Sequence, residues 1–75
     1  MELSTSDFYF TCYLTLSGEE IKSIRKLSNN KLEFIFNDLN RFMRLKENFF
    51  WNKAKVDPLA FSNQIKKIKT IIYNN

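Results

Sequence analysis

The chain has 75 residues and a mass of 9.0 kDa, room for one small domain, and carries no histidine, one glycine, one proline and one cysteine. These zeros and ones exclude imidazole metal sites, Ser-His-Asp and Cys-His nucleophile systems, a Gly-rich phosphate loop and an intramolecular disulfide. The net charge of +4 is uneven: residues 1–37 hold four basic against five acidic side chains, and the rest hold eight basic (Arg41, Arg44, Lys46, Lys53, Lys55, Lys66, Lys67, Lys69) against three acidic.

The first apolar segment, Phe8 to Leu16, supports two readings. With a period of two, Phe8, Phe10, Cys12, Leu14 and Leu16 share one face of a strand rich in β-favouring residues. As a helix, Phe8, Tyr9, Cys12, Tyr13 and Leu16 form a face, Ser6 or Asp7 supplies the N-cap, and Gly18 stops the chain in the left-handed conformation. Phe10 and Leu14 then project from the far side, so such a helix needs a second surface to cover it. No basic residue precedes the segment, and its nine residues fall far short of the roughly 20 that span a bilayer. The expectation is neither secretion signal nor membrane span, a cytoplasmic location, and a buried, reduced Cys12.

A β-hairpin is expected next. Ile21 to Leu27 and Lys31 to Asn37 form its arms, Ser28-Asn29-Asn30 the turn, and Leu32, Phe34 and Phe36 alternate along the second arm. Two strands alone are marginal, so the hairpin needs helices on one face or further strands.

Asp38 reads as the N-cap of a second helix, with Leu39, Phe42, Met43, Phe49 and Phe50 on one face and Arg41, Arg44, Glu47 and Asn48 opposite. Trp51 breaks the pattern. At about 100° per residue it lies some 120° around from Leu39, beside Arg44. Either the helix ends before it and the indole folds into the core, or a large aromatic is presented on a basic face.

The clearest boundary is Val56-Asp57-Pro58-Leu59: Asp57 can cap a helix and Pro58 suits its first turn. A helix from Pro58 to about Tyr73 follows, with Phe61, Ile65, Ile68 and Ile72 in one stripe, Ala60 and Ile71 at its edge, and Lys66, Lys67 and Lys69 spread over the other side.

The runs Ser6-Asp7-Phe8-Tyr9, Tyr13-Leu14, Gly18, Phe34-Ile35-Phe36 and Val56-Asp57-Pro58-Leu59-Ala60-Phe61, with Ile65, Ile68 and Tyr73, resemble a family of short bacterial and phage proteins classed as a domain of unknown function. The resemblance covers residues 6–73, the expected structured core of a single domain over 1–75. It implies a helix, a hairpin and two helices, and a phage or mobile-element origin. It brings no activity, cofactor or site residues. The expected fold is therefore α+β in the order α-β-β-α-α, with β-β-β-α-α as the alternative because Thr11, Cys12, Thr15 and extra aromatics depart from the family's small, helix-forming first segment.

No arrangement of side chains points to catalysis, a metal or a cofactor. Glu19-Glu20 read as solvated charges, and Asp38 and Asp57 as caps. A non-catalytic binding protein is expected, in one of two forms. In the first, Arg41, Arg44, Lys53, Lys55, Lys66, Lys67 and Lys69 neutralise nucleic-acid phosphates while Trp51 stacks on a base. In the second, Phe10, Leu14 and Trp51 anchor a host protein. A homodimer is also expected, because a thin core and a two-faced first segment leave apolar surface to cover.

Overall fold

The computed structural model describes residues 3–29, 31–37 and 39–74. Asn30 and Asp38, expected as turn and cap residues, and the side chain of Leu39 lie outside them. The elements are β1 (Leu3–Thr5), α1 (Phe8–Leu16), β2 (Ser23–Lys26), β3 (Leu32–Phe36), α2 (Leu39–Phe50) and α3 (Pro58–Tyr73). The α+β class, the hairpin and both later helices agree with the sequence pattern.

The first segment is a helix, which corrects the strand alternative, and a third strand does exist just upstream of it. β1 is only three residues long, too short for any periodicity to announce it. It pairs antiparallel with β3 in the register Leu3 to Phe36 and Thr5 to Phe34, and β2 pairs with the other edge of β3, Ile24 to Phe34 and Lys26 to Leu32. The strand order is β1-β3-β2. The two outer strands therefore run parallel to each other, and α1 is the crossover that such a connection requires.

Two local devices make Phe8–Leu16 helical against its β-favouring composition. At the start, Asp7 Oδ1 accepts from the Phe10 N–H at 2.9 Å, and the Asp7 N–H itself donates to Thr5 Oγ1 at 3.1 Å. At the end, Gly18 takes φ 102°, its N–H donates to the Thr15 carbonyl at 3.1 Å, and the Glu19 N–H donates to the Leu14 carbonyl at 3.0 Å. This is the Schellman arrangement, which satisfies carbonyls that a helix end leaves orphaned. Inside the helix, Thr11 Oγ1 donates to the Asp7 carbonyl and Thr15 Oγ1 to the Thr11 carbonyl, so two hydroxyls enter an apolar setting without loss of hydrogen bonds.

The sheet presents Phe34 and Phe36 to the helices, and α1 packs against both α2 and α3. Phe10 and Leu14, expected as exposed anchors, are 1% and 0% exposed. Both lie where α1 is covered by the rest of the chain, while Tyr9 on the same helix stays 58% exposed, so this chain supplies its own second surface at Phe10 and Leu14 and neither residue is available to a partner. The Phe10 ring meets Phe42 edge-on at 5.5 Å and also packs on Phe49 and Phe50, each at 5.4 Å. Phe42 in turn lies 5.8 Å from Phe36 of the central strand. Such ring pairs add about 0.5–1.5 kcal/mol each beyond the area they bury.

α3 is capped as expected, Asp57 Oδ2 accepting from the Ala60 N–H at 2.8 Å, and buries Ile68, with Phe61, Ile65 and Ile72 packed around it. On the outer face of the sheet Glu33 links the strands, pairing with Arg25 of β2 at 3.1 Å and accepting from Ser4 Oγ of β1 at 3.1 Å.

A Cβ at position 18 would have ordinary room, 3.6 Å from the Arg41 guanidinium, so the cost of Gly18→Ala comes from the backbone alone. It should destabilise the domain by about 1–2 kcal/mol, read as a lower urea midpoint at unchanged slope. Burial pushes the Cys12 thiol up from 9.0 to about 11, Asp7 adding and Lys69 opposing. As pH rises the unfolded chain loses this proton first, so stability present below pH 9 should fall between about 9 and 11. Urea midpoints near both limits, compared with Cys12→Ala, measure this; equal alkaline losses in both proteins would refute it.

Candidate functional site

α2 ends in the same way as α1, with an asparagine in the glycine's role. Asn52 takes φ 58°, the Lys53 N–H donates to the Asn48 carbonyl at 2.8 Å, and the Asn52 N–H donates to the Phe49 carbonyl at 3.4 Å. Asparagine is the residue after glycine that most readily accepts this conformation. The turn leaves Trp51 as the last residue before the chain reverses, with its N–H donating to the Glu47 carbonyl at 3.0 Å.

Of the two readings of Trp51, the helix does end just before it, yet the indole stays outside and is 72% exposed. Trp51 is seven residues from Arg44, close to two full turns, so both project from nearly the same face. Phe50 and Met43 repeat that spacing one position earlier and are 53% and 50% exposed. This corrects the expected buried stripe: Phe42 is buried, Leu45 and Phe49 pack beside it, and Met43 and Phe50 lie on its shoulder. A shallow depression of about 610 Å³ is walled by Met43, Arg44, Lys46, Glu47, Phe50 and Trp51. On the other side of Phe50 lies a second one of about 470 Å³, between Tyr13, Phe49, Ala54, Val56 and Phe61.

Lys53 and Lys55 are exposed and follow Trp51 by two and four residues. Their Cα atoms thus lie within about 7 and 14 Å of that of Trp51. The structure brings Trp51 together with Arg44 and adds Lys46, whose position one turn before Phe50 was the signal available in the sequence; Lys53 and Lys55 are exposed on the connection that follows and do not line the depression.

The remaining predicted cations lie elsewhere. Arg41 is occupied within the protein: Nη2 donates to the Ser17 carbonyl at 2.5 Å, and Nη1 stands 3.8 Å from Glu19 Oε2. It thereby places positive charge at the C-terminal end of α1, where the helix dipole favours it. This corrects the reading of Glu19 as a solvated charge, since its side chain is only 10% exposed, whereas the Arg41 side chain keeps 43% of its surface in solvent. Lys66, Lys67 and Lys69 are exposed on α3. Lys67 borders a separate cavity of about 580 Å³ with Glu19, Ile21 and Gln64, where Gln64 Nε2 donates to Thr15 Oγ1 at 2.8 Å.

Among the described residues no group of three or more Cys, Asp or Glu is placed to hold a metal ion, and no helix is long and apolar enough to cross a membrane.

A family model described as a domain of unknown function, DUF5659, matches residues 1–74. The chain belongs to this family. Comparison with curated proteins and with solved structures returns no match. The DUF5659 match takes in β1 as well as the segments that carried the resemblance, and it assigns no chemistry to the surface around Trp51.

Because Asn52 sets where α2 ends in this DUF5659 domain, Asn52→Gly should raise stability by a few tenths of a kcal/mol, while Asn52→Ala should lower it by about 1 kcal/mol. Thermal unfolding of the pair measures the difference; a more stable alanine variant would show that the left-handed turn does not constrain this helix end.

Proposed function

We propose that this DUF5659 domain is a non-catalytic binding protein, encoded by a phage or mobile element, that engages nucleic acid through the end of α2. The observation that carries the reading is an indole 72% exposed with Arg44 and Lys46 walling the same depression. A base has a π-face for the indole whatever its identity, and stacking of this kind contributes about 1–3 kcal/mol per base. Arg44, Lys46, Lys53 and Lys55 supply the charge that a phosphate backbone requires, and each phosphate they neutralise releases counterions. Glu47 is the one carboxylate on that wall, at a position where Arg44 can screen it.

A second reading uses the same surface for a host protein. It is favoured by Met43 and Phe50, which extend the apolar area beyond what a phosphate-binding face needs. The two differ in their response to salt. Phe10 and Leu14 take part in neither, and self-association loses them as a reason, though Trp51, Leu59 and Tyr73 remain exposed apolar groups that a second copy would cover.

Trp51 is the single tryptophan, so its fluorescence reports on the site directly. Titration with a mixed-sequence single strand at low salt should quench it, and the affinity should fall steeply as salt rises. Trp51→Ala, read by anisotropy of a labelled strand, should weaken binding by about 1–3 kcal/mol without loss of stability, and Arg44→Ala should lower the salt slope by about one. Absence of binding to single strand, duplex and RNA alike at low salt would refute the reading, and salt-tolerant capture of a protein would favour the second.

A further inference from the structure

Resting on the nucleic-acid reading, we infer that this surface takes two consecutive unpaired bases, one on Trp51 and the next in the cleft behind Phe50, so that single strands are its ligand and duplexes are not.

The geometry points this way because Phe50 is a shared wall. Its ring borders the depression of about 610 Å³ that holds Trp51 and also the one of about 470 Å³ that runs under the α2–α3 connection. Both are open to solvent, so a ligand would lie across them rather than be enclosed. The second cleft has no charged residue in its lining, and four of its walls, Tyr13, Phe49, Phe50 and Phe61, are aromatic. It therefore suits the flat body of a base, with Asn52 as a polar group on its wall and no cation to draw in a phosphate. The cations lie outside it, Arg44 and Lys46 on the Trp51 side and Lys53 and Lys55 along the connection. Apolar seats within and positive charge without complement a strand whose bases turn inward while its backbone stays in solvent.

A duplex cannot use such a site. Its bases are stacked and paired, so only their edges reach a protein, and neither the indole face nor the cleft can be filled without unstacking, unpairing and flipping two nucleotides. A single strand meets both without that penalty.

The test is titration of the full chain with oligodeoxythymidylates of one, two, four and eight nucleotides, and with a blunt duplex at equal phosphate, following Trp51 fluorescence. The dinucleotide should bind at least fivefold more tightly than the mononucleotide, and the octamer at least tenfold more tightly than the duplex. Phe50 also packs on Phe10, so its truncation risks the fold. Val56→Arg avoids this, since Val56 is an exposed loop residue on the cleft wall. The variant adds a cation while filling the cleft, and should weaken octamer binding about fivefold or more. Equal binding of mono- and dinucleotide, duplex binding as tight as the octamer, or a gain of affinity in Val56→Arg would each overturn the two-base site while leaving nucleic-acid binding intact. Failure of every probe to quench Trp51 at low salt would overturn the reading beneath it.

Discussion

Enclosure of α1 is the constraint on which the rest of the molecule depends. A helix of nine residues with apolar groups on every side cannot lie at the surface of a small protein, because its outward face would remain in water. Here a three-stranded sheet and two further helices are arranged around it. Phe10 connects the layers, meeting Phe42, Phe49 and Phe50 of α2, while Phe36 of the central strand reaches Phe42 from the other side. Full burial of such a side chain contributes about 1.5–3 kcal/mol, so a few of them dominate the stability of a chain this short.

Enclosing α1 fixes where the remaining apolar surface can be. α2 must offer Phe42, Leu45 and Phe49 to the core, which turns Met43, Phe50 and Trp51 progressively outward. A helix of 12 residues with aromatics at 42, 49 and 50, followed directly by Trp51, has more of them than one core face can hold. Because the helix ends at a left-handed Asn52, the last of these is held at the rim of the structure and the basic connection Lys53–Lys55 starts beside it. The juxtaposition of indole and cations is thus a consequence of how the helix is terminated, and it gives the proposed ligand surface its chemistry.

Neither charge nor apolar content along the chain located the exposed surface by itself, since Phe10 and Leu14 are buried and Met43 and Phe50 exposed. Arg41 contributes to the basic count of the second half, yet its guanidinium bridges to the end of α1, and Lys67 borders a different cavity. A count along the chain cannot separate a cation that complements a helix dipole from one that awaits a ligand. The distinction requires knowing which carbonyl or carboxylate lies across from it.

Local chemistry was sufficient for the parts of the fold whose signals lie close together in the chain. Asp57-Pro58 starts α3, Asp7 and Gly18 are separated by the length of a short helix, and Leu32, Phe34 and Phe36 alternate on one face of β3. Each depends on hydrogen bonds or sterics within a few residues, which is why α3 and β3 were legible, while Phe8–Leu16 stayed open between helix and strand because its caps and its β-favouring composition pointed in different directions. The family resemblance was legible for the same reason. Burial was not, because it depends on what packs against an element from far away in sequence. Whether Phe10 and Leu14 would be anchors or core turned on α2 and α3, which begin more than 20 residues later and pack on α1, with Phe10 meeting Phe42, Phe49 and Phe50. Whether Trp51 would fold inward turned on how much of the core Phe49 and Phe10 had already filled. The sequence by itself determined the caps, the turns and the surplus of aromatic side chains; only tertiary packing decided which of them stayed in water, since exposure is settled by competition for a limited interior volume.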